Sequence, residues 1–135
     1  MLDTNVISEL QKSNCNQNIR AFVEENHWED LYLSVISYGE LCYGVERLPE
    51  GKKKHDLLVW VYTKIPEWFK GRIIGIDTDV MLEWGKIRAR AKRSIPVADS
   101  LIAASAITNH IFLVTRNTSD FDGIDGINII NPWEF

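Results

Sequence analysis

Cysteine, proline and long apolar runs are all scarce in this chain, and each scarcity excludes something. Cys15 and Cys42, the two cysteines among 135 residues, show neither CxxC nor zinc-ligand spacing. That argues against a disulfide scaffold and a thiolate metal site, and for reduced thiols in a cytoplasmic setting. No apolar run reaches the ~18 to 20 residues of a membrane span, and the start lacks a signal peptide's basic and apolar regions. No membrane partner is expected. Positive charge is also short: Lys and Arg number 15 against 19 Asp and Glu, a formal net charge of −4. Any nucleic-acid partner must therefore be met by a local basic patch. Repeats, low-complexity tracts and linker-like segments are absent, so one domain over residues 1–135 is expected.

What is present is an alternation of short β-branched runs with helical periodicity. Met1 and Leu2 make a strand stub, followed by a helix through Val6, Ile7 and Leu10 that Thr4 or Asn5 would cap. A second helix is predicted from about Asn16 to Asn26, and a strand over Leu31 to Ser34. Ser34 to Leu48 then reads as a helix with Tyr38, Leu41, Cys42, Val45 and Leu48 on one apolar stripe. Glu40 lies away from that stripe with Ser37, Tyr43, Gly44 and Arg47, and Gly44 allows a ligand or backbone to approach that side. An amphipathic stretch from Asp56 to Ile65 should be bent or ended by Pro66. Arg72 to Ile76 reads as a strand. Asp77 to Lys92 reads as a helix with Val80, Met81, Trp84 and Ile87 inward. Ile111 to Thr115 has the continuous apolar character of a buried parallel strand. Ile127 to Ile130 is a last strand, and Trp133 and Phe135 are expected to pack down. The fold class is α/β: a short central parallel sheet flanked by helices in three layers.

The segment PVADSLIAASAI, Pro96 to Ile107, reads as a helix with almost no polar face, Pro96 suiting its first turn. Asp99 sits in that first turn, where a buried carboxylate is costly unless a cation or several donors meet it. Ligands of parallel sheets collect outside the carboxyl ends of the strands. Asp3, Glu40 and the Asn117 to Asp122 loop fall there with Asp99. Converging carboxylates must take up protons or bind a cation, and oxygen-only donors suit magnesium or manganese. Such an ion activates water and supports displacement at phosphorus. This chemistry needs no histidine, and His27, His55 and His110 sit in surface or helix-end contexts.

Taken together, LDTNVISEL, SVISYGELCYGVERL, PVADSLIAASA and VTRNTSDFDGI with INPW resemble the PIN-domain ribonucleases, specifically the VapC and FitB-like toxins of type II toxin–antitoxin pairs. The resemblance covers essentially the whole chain, with the blocks in order. It implies a three-layer PIN-like fold, a Mg2+- or Mn2+-dependent endoribonuclease acting on tRNA or rRNA loops, and a cognate VapB-like antitoxin. It further implies a homodimer, a toxin–antitoxin hetero-oligomer, and DNA contact only through the antitoxin. By position, Asp3, Glu40 and Asp99 match the family's metal-binding acids. For the fourth position both Asn117 and Asp120 remain, Asp120 being the acid. The chain departs from its relatives in having only Met1 and Leu2 before Asp3.

Around these acids, Thr4 and Asn5 would orient Asp3 or serve as helix caps, and Thr115 would hydrogen-bond a ligand carboxylate. Arg116, Lys52, Lys53, Lys54, Arg88 and Arg93 are candidate RNA contacts, or solvated charges. Two other readings stay open: a magnesium-dependent phosphohydrolase or phosphoacceptor with Asp3 as nucleophile, and a non-catalytic acidic pocket for a basic partner peptide.

Overall fold

The computed structural model describes residues 1–135. Along the chain run α1 (Thr4–Leu10), α2 (Gln17–Glu25), β1 (Leu33–Ser34), α3 (Val35–Glu46), α4 (Lys52–Val59), a π-helical turn (Trp60–Lys64), α5 (Ile65–Trp68) and β2 (Ile73–Ile74). They are followed by α6 (Thr78–Arg90), α7 (Val97–Thr108), β3 (Leu113–Val114) and β4 (Ile129–Ile130). All pairings are parallel: β1 with β2, β3 with β4, and Leu2 bridging both Leu33 and Val114. Leu2 thus lies between β1 and β3, and the sheet runs β2, β1, Leu2, β3, β4. The chain order reverses between Leu2 and β3, which is the switch point where parallel sheets hold their ligands.

Neighbouring residues on these strands feed opposite cores, as the period of two requires. Leu2, Leu33 and Val114 join Val6, Ile7, Ile19, Leu41 and Phe69 on one face. Met1 and Leu113 join Val80, Ile87, Ile102 and Ala103 on the other. The sheet is therefore covered on both sides, giving the expected three layers.

Several local expectations need correction. The strands are shorter than their apolar runs because Phe112 is 54 % exposed and only Leu113 and Val114 pair. Asp3 itself caps α1, its Oδ1 accepting from Thr4 N–H at 2.8 Å. Pro96 lies just outside α7 as its N-cap. Ser37 is fully buried rather than sharing an exposed side with Glu40, Met81 on α6 is exposed, and Phe135 is 73 % exposed. Pro66 does not end its helix. In the π turn the Ile65 N–H reaches back to the Trp60 carbonyl. Proline next in line has no N–H to offer Val61, and the Tyr38 hydroxyl donates to the Val61 carbonyl instead at 2.9 Å. A π turn thereby absorbs the proline, and helix continues to Trp68.

Candidate active site

Asp3 emerges from the sheet at the switch point. Its backbone N–H donates to the Val114 carbonyl at 2.9 Å, tying it to β3, and the residue is 7 % exposed. Oδ2 accepts from the Thr115 hydroxyl at 2.8 Å and from Asn5 Nδ2 at 3.4 Å. Asn5 also donates to Thr115 Oγ1 at 3.1 Å, and its own Oδ1 accepts from the Arg116 N–H at 3.2 Å. Thr115 Oγ1 further accepts from the Asn117 N–H at 3.1 Å. One buried hydroxyl thus joins the end of β3, the loop after it and Asp3. Burial raises the Asp3 pKa more than these donors lower it, and the charge of Asp120 pushes in the same direction.

Thr4 turns the other way from Asn5. Its hydroxyl donates to Glu40 Oε1 at 2.8 Å, linking α1 to α3. Asp99, half-buried in the first turn of α7, has its pKa raised to about 6. Burial is the main cause, followed by the charges of Asp120, Asp3 and Glu40, with Arg93 opposing them. The structure therefore brings Asp3, Glu40, Asp99 and Asp120 into one electrostatic neighbourhood. Asn117 contributes its backbone to Thr115, while its side chain makes no hydrogen bond.

Asp120 lies on a 3₁₀ turn, Thr118–Phe121, held from outside by Arg93. That guanidinium donates to the carbonyls of Asp120 at 2.7 Å and Asp122 at 3.0 Å, so a residue considered for RNA contact fixes the loop carrying an acid. Arg88 is likewise engaged, donating to the Ile95 carbonyl and lying 5.7 Å over the Trp84 ring. Arg116 lies over the Trp133 ring at 5.6 Å. Lys54 pairs with Glu50 at 3.0 Å, while Lys52 and Lys53 are exposed.

The donor set fits a hard divalent cation: carboxylate oxygens from four separate segments, two of them with raised pKa values, and one arginine opposing them. As the side chains are placed, no three acidic groups meet closely enough to share one ion. Asp3 is the buried member, whereas Glu40 and Asp120 are exposed. What the sequence did not reveal is that the Thr4 hydroxyl serves Glu40 while its backbone N–H serves Asp3. The spacing of Thr4, Ser8 and Gln11 along one face of α1 was the available signal that this side of α1 meets α3.

A family profile described as PIN domain matches residues 1–127. Over 99% of this chain and 97% of its own length, VapC ribonuclease Y4jK of Sinorhizobium fredii is 36% identical. Toxin FitB of Neisseria gonorrhoeae is 38% identical over 98% of this chain and 97% of its own length. A solved structure described as FitAB bound to IR36 DNA fragment superposes with a TM-score of 0.91 at 36% identity, covering 99% of this chain and 95% of that one.

Proposed function

This chain belongs to the PIN-domain family, among its VapC- and FitB-like members, and from that premise we propose that it is a divalent-metal-dependent endoribonuclease, the toxin of a type II toxin–antitoxin pair. Asp3, Glu40, Asp99 and Asp120 would hold Mg2+ or Mn2+. When bound, such a cation neutralises the carboxylates, activates water and stabilises the charge of in-line displacement at an RNA phosphodiester. The observation that carries this reading is the gathering of acids from separate segments at the sheet's switch point: Asp3 tied to β3 by its N–H, Glu40 joined to α1 through Thr4, and Asp99 in the first turn of α7.

Each side chain has a definable part. Thr115 and the Thr4 N–H fix the two oxygens of Asp3, and the Thr4 hydroxyl fixes Glu40. Asp99 projects from the start of α7, and Arg93 holds the Asp120 loop against the site. Asp120 fits the fourth acidic position better than Asn117, because its charge acts on both Asp3 and Asp99. Cleavage of this type leaves 5′-phosphate and 3′-hydroxyl ends. Asp3 fits the role of covalent nucleophile poorly, since both of its oxygens are taken by donors and the carboxylate is nearly enclosed.

The same reading supplies the setting. The substrate would be a single-stranded tRNA or rRNA loop, since bases there are accessible. The partner would be a VapB-like antitoxin that inhibits the site and carries any DNA contact, and the toxin would form homodimers within the hetero-oligomer. No helix is long and apolar enough to cross a membrane, and the cytoplasm is where such a substrate is met. A single domain would extend to Phe135, since β4 pairs with β3 beyond the matched residues. Expression of the chain followed by mapping of cellular RNA 5′ ends tests this proposal. New ends should appear with the native chain and vanish with Asp99→Asn; equal cleavage by that variant would overturn the role of the cluster.

A further inference from the structure

Beside the acidic cluster lies a cavity of about 290 Å³ whose lining includes Thr4 and Glu40. Its walls follow from helical spacing. Thr4 and Ser8 stand at i and i+4 on α1 with its C-cap Gln11 at i+7, and Glu40 and Gly44 stand at i and i+4 on α3. Leu41, Leu57 and Trp60 supply its apolar lining. Glycine at position 44 leaves the α3 side open: a Cβ built there meets nothing within 4 Å. Trp60 begins the π turn, and its indole N–H is buried without an acceptor.

The only charge on the lining is Glu40, at the side shared with the acidic cluster. The rest is neutral. Ser8 and Gln11 have side chains engaged in no hydrogen bond, so donors and acceptors are free at one edge of an otherwise apolar recess. An occupant that is flat, uncharged, apolar on its faces and polar at its edge matches this lining. It would also be joined to a phosphate that reaches the acids. Those properties describe a nucleobase on a strand being cut. A basic peptide side chain would instead be drawn past this recess to the carboxylates.

We propose that this cavity is a nucleobase subsite that holds one base next to the scissile phosphate and so sets the sequence preference of cleavage. The inference rests on the ribonuclease reading. Gly44 is its specificity-determining position, because any larger side chain there projects into the recess. Ring nitrogens and carbonyl oxygens of the base are acceptors of the kind that the exposed Gln11 amide can meet.

The test is single-turnover cleavage of a single-stranded RNA oligonucleotide bearing the mapped cut site. It is run alongside versions with an abasic ribose at each nucleotide flanking the scissile phosphate. One abasic position should slow the native protein on the order of tenfold or more, the scale of losing one base's stacking. Gly44→Leu should lose a similar factor on the intact oligonucleotide and be indifferent to that abasic position, with Gly44→Ala intermediate. Thermal unfolding of both variants reports whether the fold is kept. Additive effects of Gly44→Leu and base removal would overturn the subsite while leaving the ribonuclease reading intact. So would unchanged RNA cleavage combined with weakened inhibition by a partner protein, which would make the recess a protein groove. Failure of the native protein to cut RNA under any divalent metal would overturn both.

Discussion

At the scale of single residues, a carboxylate costs most where burial and like charge coincide, and Asp99 has both. Its pKa stands at about 6 against an ordinary 3.8. An acid whose folded pKa lies above its unfolded value binds more protons when folded. Its ionisation therefore costs stability progressively as pH rises from about 3.8 to about 6, and fully above that. In chelator, Asp99→Asn should thus unfold at a higher temperature than the native chain at pH 7.5, the difference closing near pH 4. Thermal unfolding across that range checks both sign and window. Thr115 is the complementary case: a fully buried hydroxyl holding Asp3 and accepting from Asn5 and Asn117. Thr115→Val keeps the shape and removes these bonds. It should cost about 1 to 3 kcal/mol in denaturant unfolding and lower cleavage through the loosened Asp3. The acids themselves were legible because carboxylates in apolar segments stand out. The Thr115 hydroxyl was legible as a partner of a ligand carboxylate, but the pairing of the Thr4 hydroxyl with Glu40, across 36 positions of sequence, was not.

Among elements, the helices were the more legible, since their periodicity and caps are local. Asp77 receives the Val80 N–H at 2.9 Å as the cap of α6, and Asp77→Ala should cost about 1 kcal/mol in equilibrium unfolding. Strand ends were less legible, because pairing is decided by the neighbour and not by the run: Ile111 to Thr115 is continuously apolar, yet β3 is only Leu113–Val114. The helix through Pro66 shows the same limit. Local reading expects a bend or an end, whereas the i→i−5 register and the Tyr38 hydroxyl together absorb the missing donor and helix continues to Trp68. Tyr38→Phe should therefore destabilise by about 0.5 to 1.5 kcal/mol, measured by chemical denaturation. A neutral outcome would mean that the Val61 carbonyl finds another donor.

For the molecule as a whole, the parallel order around Leu2 places the acids at one end of the sheet, although they lie far apart in sequence. That arrangement was predictable in class from the alternation of strands and helices. The position of the switch point depended on Leu2 bridging two strands at once, which no local pattern encodes. The cost of gathering like charges is tolerable if the fold is completed by a cation. Added Mn2+ should accordingly raise the unfolding temperature of the native protein more at pH 7.5 than at pH 5, where protons compete for the same oxygens. Asp99→Asn should flatten that response.

The most direct measurement is RNA cleavage by the purified native chain in Mg2+ or Mn2+, compared with the same protein in excess chelator and after metal is restored. The account requires cleavage with metal, none in chelator, and recovery on adding the metal back. Equal cleavage in chelator would contradict it.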